Sequence, residues 1–200
     1  MSGPPPPSDL ASRTPHLIYL DRGSILHRFY TRTDGTRTFD PIFYDPSLRG
    51  RFNSPDGNYG VLYTAKQLNG AFAETFLRTS GRRMIDPGLM ASKGYTRLEV
   101  RRRLALIEFD GRWLAPLGAT AAVPHSDPPY DNPQAWSKAL RNHSISPDGI
   151  AYTSRHDPSE ICYALFSNPD PPVAELSRDA ALDADWFWQL ADHYEVGMAP

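Results

Sequence analysis

Twenty of the 200 residues are proline, about twice the ordinary share of ~5%. Proline fixes φ and removes a backbone donor, so it is kept out of helix interiors and paired strands. Four of them sit together as Pro4, Pro5, Pro6 and Pro7, and the others are spread along the chain. Such a chain has to fold from short elements joined by fixed turns. The Pro/Ser-rich stretch 1–15 reads as a disordered or polyproline-type tail.

Between the turns, β-prone runs at 17–20, 25–30, 60–65, 96–100, 104–109, 150–154 and 161–166 read as strands. Residues 39–44 contain Pro41 and read as an edge strand or a loop. Helical periodicity marks 68–78, 132–143 and 182–194, with Asn132 as N-cap and Pro133 at N1 of the second. Residues 31–38 and 81–94 read as loop, the latter turning at Asp86-Pro87-Gly88, and 168–172 as a linker. Strands and helices do not alternate, so the class is α+β. The expected division is a tail (1–15), a main domain (16–172) and a C-terminal helical extension (173–200) packed on that domain or forming a homodimer contact.

Several function classes drop out. The formal net charge is −2 and the pI about 6.3, so no bulk basic field draws the chain to nucleic acid. No apolar run is long enough for a membrane span, and the N-terminus has no signal-peptide pattern. The single cysteine, Cys162, excludes a disulfide framework and a multi-cysteine metal site. The expectation is a cytoplasmic protein. His156, Glu160 and Cys162 have no familiar metal spacing, so no metal site is assigned. G-x-S-x-G, G-x-G-x-x-G and P-loop patterns are absent.

Two features stay open at this level. Arginine outnumbers lysine 18 to 3, which reflects either base composition or a use for planar guanidinium groups in phosphate binding; the run Arg101–Arg103 is a solvated strand edge or a phosphate contact. Glu74 lies opposite Leu68, Phe72 and Phe76 on a helical wheel. It either faces solvent and pairs with Arg78 at i,i+4 or faces a cleft, with Gly70 leaving room beside it.

Four segments occur in order: His27-Arg28-Phe29; Gly50-Arg51-Phe52-Asn53; Val61-Leu62-Tyr63-Thr64-Ala65 followed by Glu74; and Gly149-Ile150-Ala151-Tyr152-Thr153-Ser154-Arg155 leading into Ala164-Leu165-Phe166. The set resembles the RES-domain family, named for an arginine, a glutamate and a serine, here Arg51, Glu74 and Ser154. Phe52 stands where the family usually has tryptophan. The resemblance implies a split antiparallel β-sheet with a few helices, similar to ADP-ribosyltransferase toxins. It implies a toxin-like enzyme that cleaves the nicotinamide–ribose bond of NAD, by phosphorolysis to nicotinamide and ADP-ribose 1″-phosphate. NAD is then a substrate with inorganic phosphate as co-substrate, and no cofactor is needed. Hydrolysis, mono-ADP-ribosylation of a protein and a non-catalytic interaction module are the alternatives. The implied partner is an Xre-type helix-turn-helix antitoxin. Glu74, Arg51 and Ser154 are the expected catalytic residues; Arg28, Tyr63, Phe29, Asn53 and Arg155 are expected to bind substrate.

Overall fold

A computed structural model describes residues 3–33, 36, 38–78 and 83–199. Met1 and Ser2 of the expected tail, 34, 35 and 37 of the polar stretch, and 79–82, with Gly81 of the expected loop, lie outside the described residues. Ten strands are present among the described residues: β1 (Leu17–Leu20), β2 (Ile25–Thr31), β3 (Val61–Ala65), β4 (Met84–Ile85), β5 (Lys93–Val100), β6 (Leu104–Glu108), β7 (Gly149–Thr153), β8 (Ile161–Phe166), β9 (Val173–Asp179) and β10 (Gly197–Met198). Five α-helices accompany them: α1 (Leu68–Phe76), α2 (Pro87–Ser92), α3 (Leu114–Leu117), α4 (Asp131–Arg141) and α5 (Asp185–His193).

Eight strands form one sheet in the order β1-β6-β7-β8-β3-β2-β5-β9. It is antiparallel except where β6 runs parallel to β7, a pairing that needs the long crossover carrying α3 and α4. The α+β class and the split sheet are as expected. β2 and β3 share a single residue pair, His27 with Ala65, whereas β2 pairs with β5 along its whole length and β3 with β8 likewise. The sheet is therefore two well-laddered halves joined at one point.

Both faces of the sheet are buried. Cys162, Ala164 and Phe166 of β8 point to one face, Tyr163 and Leu165 to the other, and all five are buried. A strand covered on both sides shows a continuous apolar run instead of alternation. The second face packs largely against itself, through Leu26, Leu62, Leu98, Leu104, Ala151 and Val173, so the sheet curls. The first face is covered by α1, α4 and α5, with Phe72, Trp136 and Phe187 fully buried.

Three expectations need correction. Asp86-Pro87-Gly88 is not a turn in a loop but the start of α2: Asp86 Oδ1 accepts the Leu89 N–H at 2.8 Å and Pro87 occupies the first turn, where its missing donor costs nothing. The stretch 173–200 is not only a helical extension, because β9 pairs with β5 as a strand of the main sheet. Its surface sequence, Glu175, Ser177, Arg178 and Asp179 among few apolar residues, is that of a charged sheet edge and hides the strand. α5 then turns its apolar face inward.

The third correction concerns 1–15. Residues 3–15 are not disordered but packed on α4. Trp136 Nε1 donates to the Pro4 carbonyl at 2.8 Å and Asn132 Nδ2 to the Gly3 carbonyl at 2.7 Å. Asn132 therefore anchors this segment and does not cap α4, which begins one residue earlier. Leu10 is 3% exposed in a single 3-10 turn. Polyproline conformation leaves its carbonyls unbonded within the chain, so they are free for side-chain donors, and its stiffness lowers the entropy lost on docking. Leu10→Ala is expected to cost about 2–5 kcal/mol in urea unfolding; a free tail would show no change.

Candidate active site

Beyond His27–Ala65, β2 and β3 diverge, and the gap between them is a cleft of about 530 Å3. Two contacts hold it open. Arg28 Nη1 donates to the Tyr63 carbonyl at 2.7 Å, an acceptor that a closed ladder would have used. Further along, Asp45 exchanges both backbone hydrogen bonds with Val61 at 3.0 Å, so a loop takes the partner position that β2 has left.

The Gly50-Arg51-Phe52-Asn53 turn is clamped below this gap. The Tyr63 hydroxyl accepts the Phe52 N–H at 2.8 Å and donates to Asn53 Oδ1 at 2.9 Å. Asn53 Nδ2 donates to Asp45 Oδ2 at 3.0 Å and the Ser47 carbonyl at 2.6 Å. A Cβ on Gly50 would stand 2.7 Å from the Tyr63 hydroxyl oxygen, so the close approach needs glycine. From α4, Gln134 Nε2 donates to the Leu48 and Gly50 carbonyls at 2.8 and 3.0 Å. Phe52 is fully buried against Phe109 and Tyr152.

Glu74 projects from α1. Arg78 does not pair with its carboxylate: Arg78 Nε donates to the Glu74 backbone carbonyl at 2.8 Å. The carboxylate instead accepts from Ser154 Oγ at 2.7 Å. Ser154 is 0% exposed, and its oxygen also accepts the His156 and Asp157 N–H groups at 3.1 and 3.3 Å. One donor and two acceptor positions exhaust a hydroxyl, so Ser154 is fixed and aims Glu74. Gly70 leaves no open room: a Cβ there would lie 3.0 Å from Glu160 Oε2, so that side of α1 is occupied by Glu160.

The structure thus sorts the expected residues. Arg28, Arg51, Tyr63, Glu74 and Arg155 line the cleft together. Phe29 also lines the cleft and packs against Phe72, Phe76, Tyr95 and Phe187. Ser154 and Asn53 do not line it; Asn53, expected to bind substrate, has all its hydrogen bonds committed to the scaffold. Arg49, Arg78, Lys93, His27 and His156 also line the cleft and were not among the expected site residues. His27 belongs to a quoted segment, Arg78 was weighed only as a partner of Glu74 and His156 only as a metal ligand; distant elements bring them together.

The guanidinium groups are positioned mainly by neutral acceptors. Arg28 donates to the Tyr63 carbonyl, Arg51 to the Pro124 carbonyl at 2.8 Å and Arg155 to the Ser126 carbonyl at 3.0 Å. Arg155 also pairs with Asp127 at 2.6 Å, whose side chain is 76% exposed. Arg28 Nε and Arg51 Nε are buried with no partner in the protein. Burial pulls the Arg28 guanidinium down to about 10 and the Lys93 ammonium down to about 8, the latter aided by Arg78 and Arg28 nearby. Burial also lowers His27 and His156, helped by Arg97 for the first and, for the second, by Arg155, Arg51 and Arg78 against the opposing pull of Glu74. The cleft is a largely cationic surface that also presents the Ser154-held Glu74 carboxylate, a setting suited to an anionic ligand. Among the described residues no group of three His, Cys, Asp or Glu is placed to hold a metal ion, and no helix is long and apolar enough to cross a membrane.

The family model of the RES domain matches residues 25–188. The chain belongs to the RES-domain family. The matched span runs from β2 into α5, so the domain extends past the expected boundary at 172 and includes β9. A chain of the M. tuberculosis MbcT–MbcA toxin–antitoxin complex has a similar fold, with a TM-score of 0.63 over 87% of this chain and 92% of that chain at 12% identity. A comparison with curated proteins gives no match.

Two outcomes follow from this geometry. Tyr63→Phe leaves the buried Phe52 N–H and Asn53 Oδ1 without a partner and should cost about 1–3 kcal/mol, read by urea unfolding. Because His27 and His156 have lowered values when folded, the unfolded chain takes up protons first as pH falls. Stability should therefore drop on acidification from about pH 7 to 5, and the drop should shrink in His27→Gln/His156→Gln.

Proposed function

We propose that this RES-domain protein is a toxin-like enzyme that cleaves NAD at the nicotinamide–ribose bond and passes the ADP-ribosyl group to inorganic phosphate. The supporting observation is the carboxylate of Glu74, aimed by buried Ser154 into a cleft that Arg28, Arg51, Arg78, Lys93 and Arg155 also line. Family membership and the fold shared with a toxin–antitoxin complex point the same way.

The chemistry matches the residues. As the C1″–N bond breaks, its electron pair goes to the nicotinamide ring and neutralises it. Positive charge then grows on the ribose, as in glycoside cleavage. Glu74 stabilises that charge and accepts a hydrogen bond from a ribose hydroxyl. Arg51 and Arg28 bind the diphosphate through donors that the protein leaves unpaired. A phosphate oxygen forms the new bond to C1″, giving nicotinamide and ADP-ribose 1″-phosphate. Tyr63 and Ser154 are positioning residues in this scheme: one fixes the Arg51 turn, the other Glu74. An antitoxin of the Xre helix-turn-helix type is the proposed partner.

The test is nicotinamide release from NAD by purified protein, with and without phosphate. Release should rise and saturate with phosphate. Glu74→Gln should lower kcat about 10²–10³-fold, and Ser154→Ala about 10–10²-fold through a misplaced carboxylate. Release independent of phosphate would mean hydrolysis, and label on a protein acceptor would mean transfer. No release by folded wild-type protein would overturn the enzymatic reading.

A further inference from the structure

A second hollow, about 330 Å3 in volume, adjoins the cleft. Lys93 lines both. α2 is the wall between them, with Leu89 on the cleft side and Met90 on the far side. The short parallel pair β4–β10 continues that wall: Met84 and Ile85 line the cleft, Met198 the hollow. The hollow is otherwise mostly small and apolar, with Pro87, Ala91, Ala181 and Leu182, and Asp183 and Arg32 supply polar groups. Met90 and Met198 line it, the latter 43% exposed. Thioethers placed this way are soft surfaces for an aromatic ring.

Lys93 Nζ donates to Thr31 Oγ1 at 2.7 Å, and among the described residues no carboxylate pairs with it. A cation with spare donors beside an apolar slot is the arrangement that takes a nucleotide: phosphate on the ammonium, base in the slot. We propose that the hollow holds the adenine base of the dinucleotide, with Lys93 on the phosphate next to it. The inference rests on NAD as the substrate and adds where its non-reacting half lies. Asp183 offers an acceptor for the exocyclic amine. The nicotinamide end lies towards Glu74, and the chain of the ligand crosses the α2 wall at Lys93.

Adenosine 5′-monophosphate is the direct probe, because it contains the base and the phosphate but nothing that can react. Isothermal titration should show it binding wild-type protein. Ala181→Trp, which fills the hollow from an exposed position, should weaken it about tenfold or more, with the unfolding midpoint unchanged. Lys93→Gln should weaken the monophosphate but not adenosine. In turnover, Ala181→Trp should raise KM for NAD about tenfold with kcat held, the signature of lost uniform binding. Nicotinamide mononucleotide, which lacks the adenylate half, should be processed equally by both proteins. No binding of adenosine monophosphate to wild type, or equal binding by Ala181→Trp, overturns the subsite. A wild type that binds the monophosphate in the hollow yet releases no nicotinamide from NAD supports the subsite and overturns the function proposed above.

Discussion

The structure depends on a β-sheet that stops pairing in its middle. One residue pair, His27 with Ala65, joins the two halves, and the unpaired backbone beyond it would be costly if left bare. Arg28 and Asp45 each satisfy part of that gap, one with a guanidinium and one with a peptide group. Closing the sheet would give more ladder hydrogen bonds but no cleft. The site is thus an interruption in the main sheet, flanked by two laddered halves.

The same economy governs the charges. Pairing each cleft arginine with a carboxylate would have been the usual way to hold it, but would have cancelled its field. Main-chain carbonyls orient Arg28 and Arg51 without removing their charge, and Arg155 adds to its carbonyl contact a pairing with the exposed Asp127. The carboxylates on the same wall are mostly committed: Asp45 binds Ser47 and Asn53, Asp86 caps α2, and Asp127 meets Arg155. Glu74 is held by the Ser154 hydroxyl. Depressed proton affinity at Arg28 and Lys93 is the expense of burying these charges, with Arg78 and Arg28 adding to it at Lys93.

Much of this was legible in the sequence where local pattern and burial coincide. Seven strands and the helices around Phe72, Trp136 and Phe187 follow from apolar runs and periodicity. Arg51, Glu74 and Ser154 came from ordered motifs, and the structure places two of them in the cleft and the third behind it. What failed did so for physical reasons. β9 is a charged edge with little apolar alternation. Asp86-Pro87 serves equally as a turn or as a helix start. Asn53 resembles a binding residue because a buried amide with three partners looks, in sequence, like one waiting for a ligand. Lys93 and His156 sit far from Glu74 along the chain, on β5 and the β7–β8 loop, and only tertiary pairing brings them to it.

The segment anchored by Pro4 and Leu10 has one more consequence, which concerns time rather than geometry. Its docking partner α4 is made more than a hundred residues later during synthesis, and α4 is also what steadies the Arg51 turn through Gln134. Contacts that span so much sequence form late. A growing chain can therefore ladder β2 with β5 well before the cleft floor is set. The finished site waits for the segment between β6 and β7, and a partly made chain carries Arg28, Arg51 and Glu74 without the frame that sets them around one cleft.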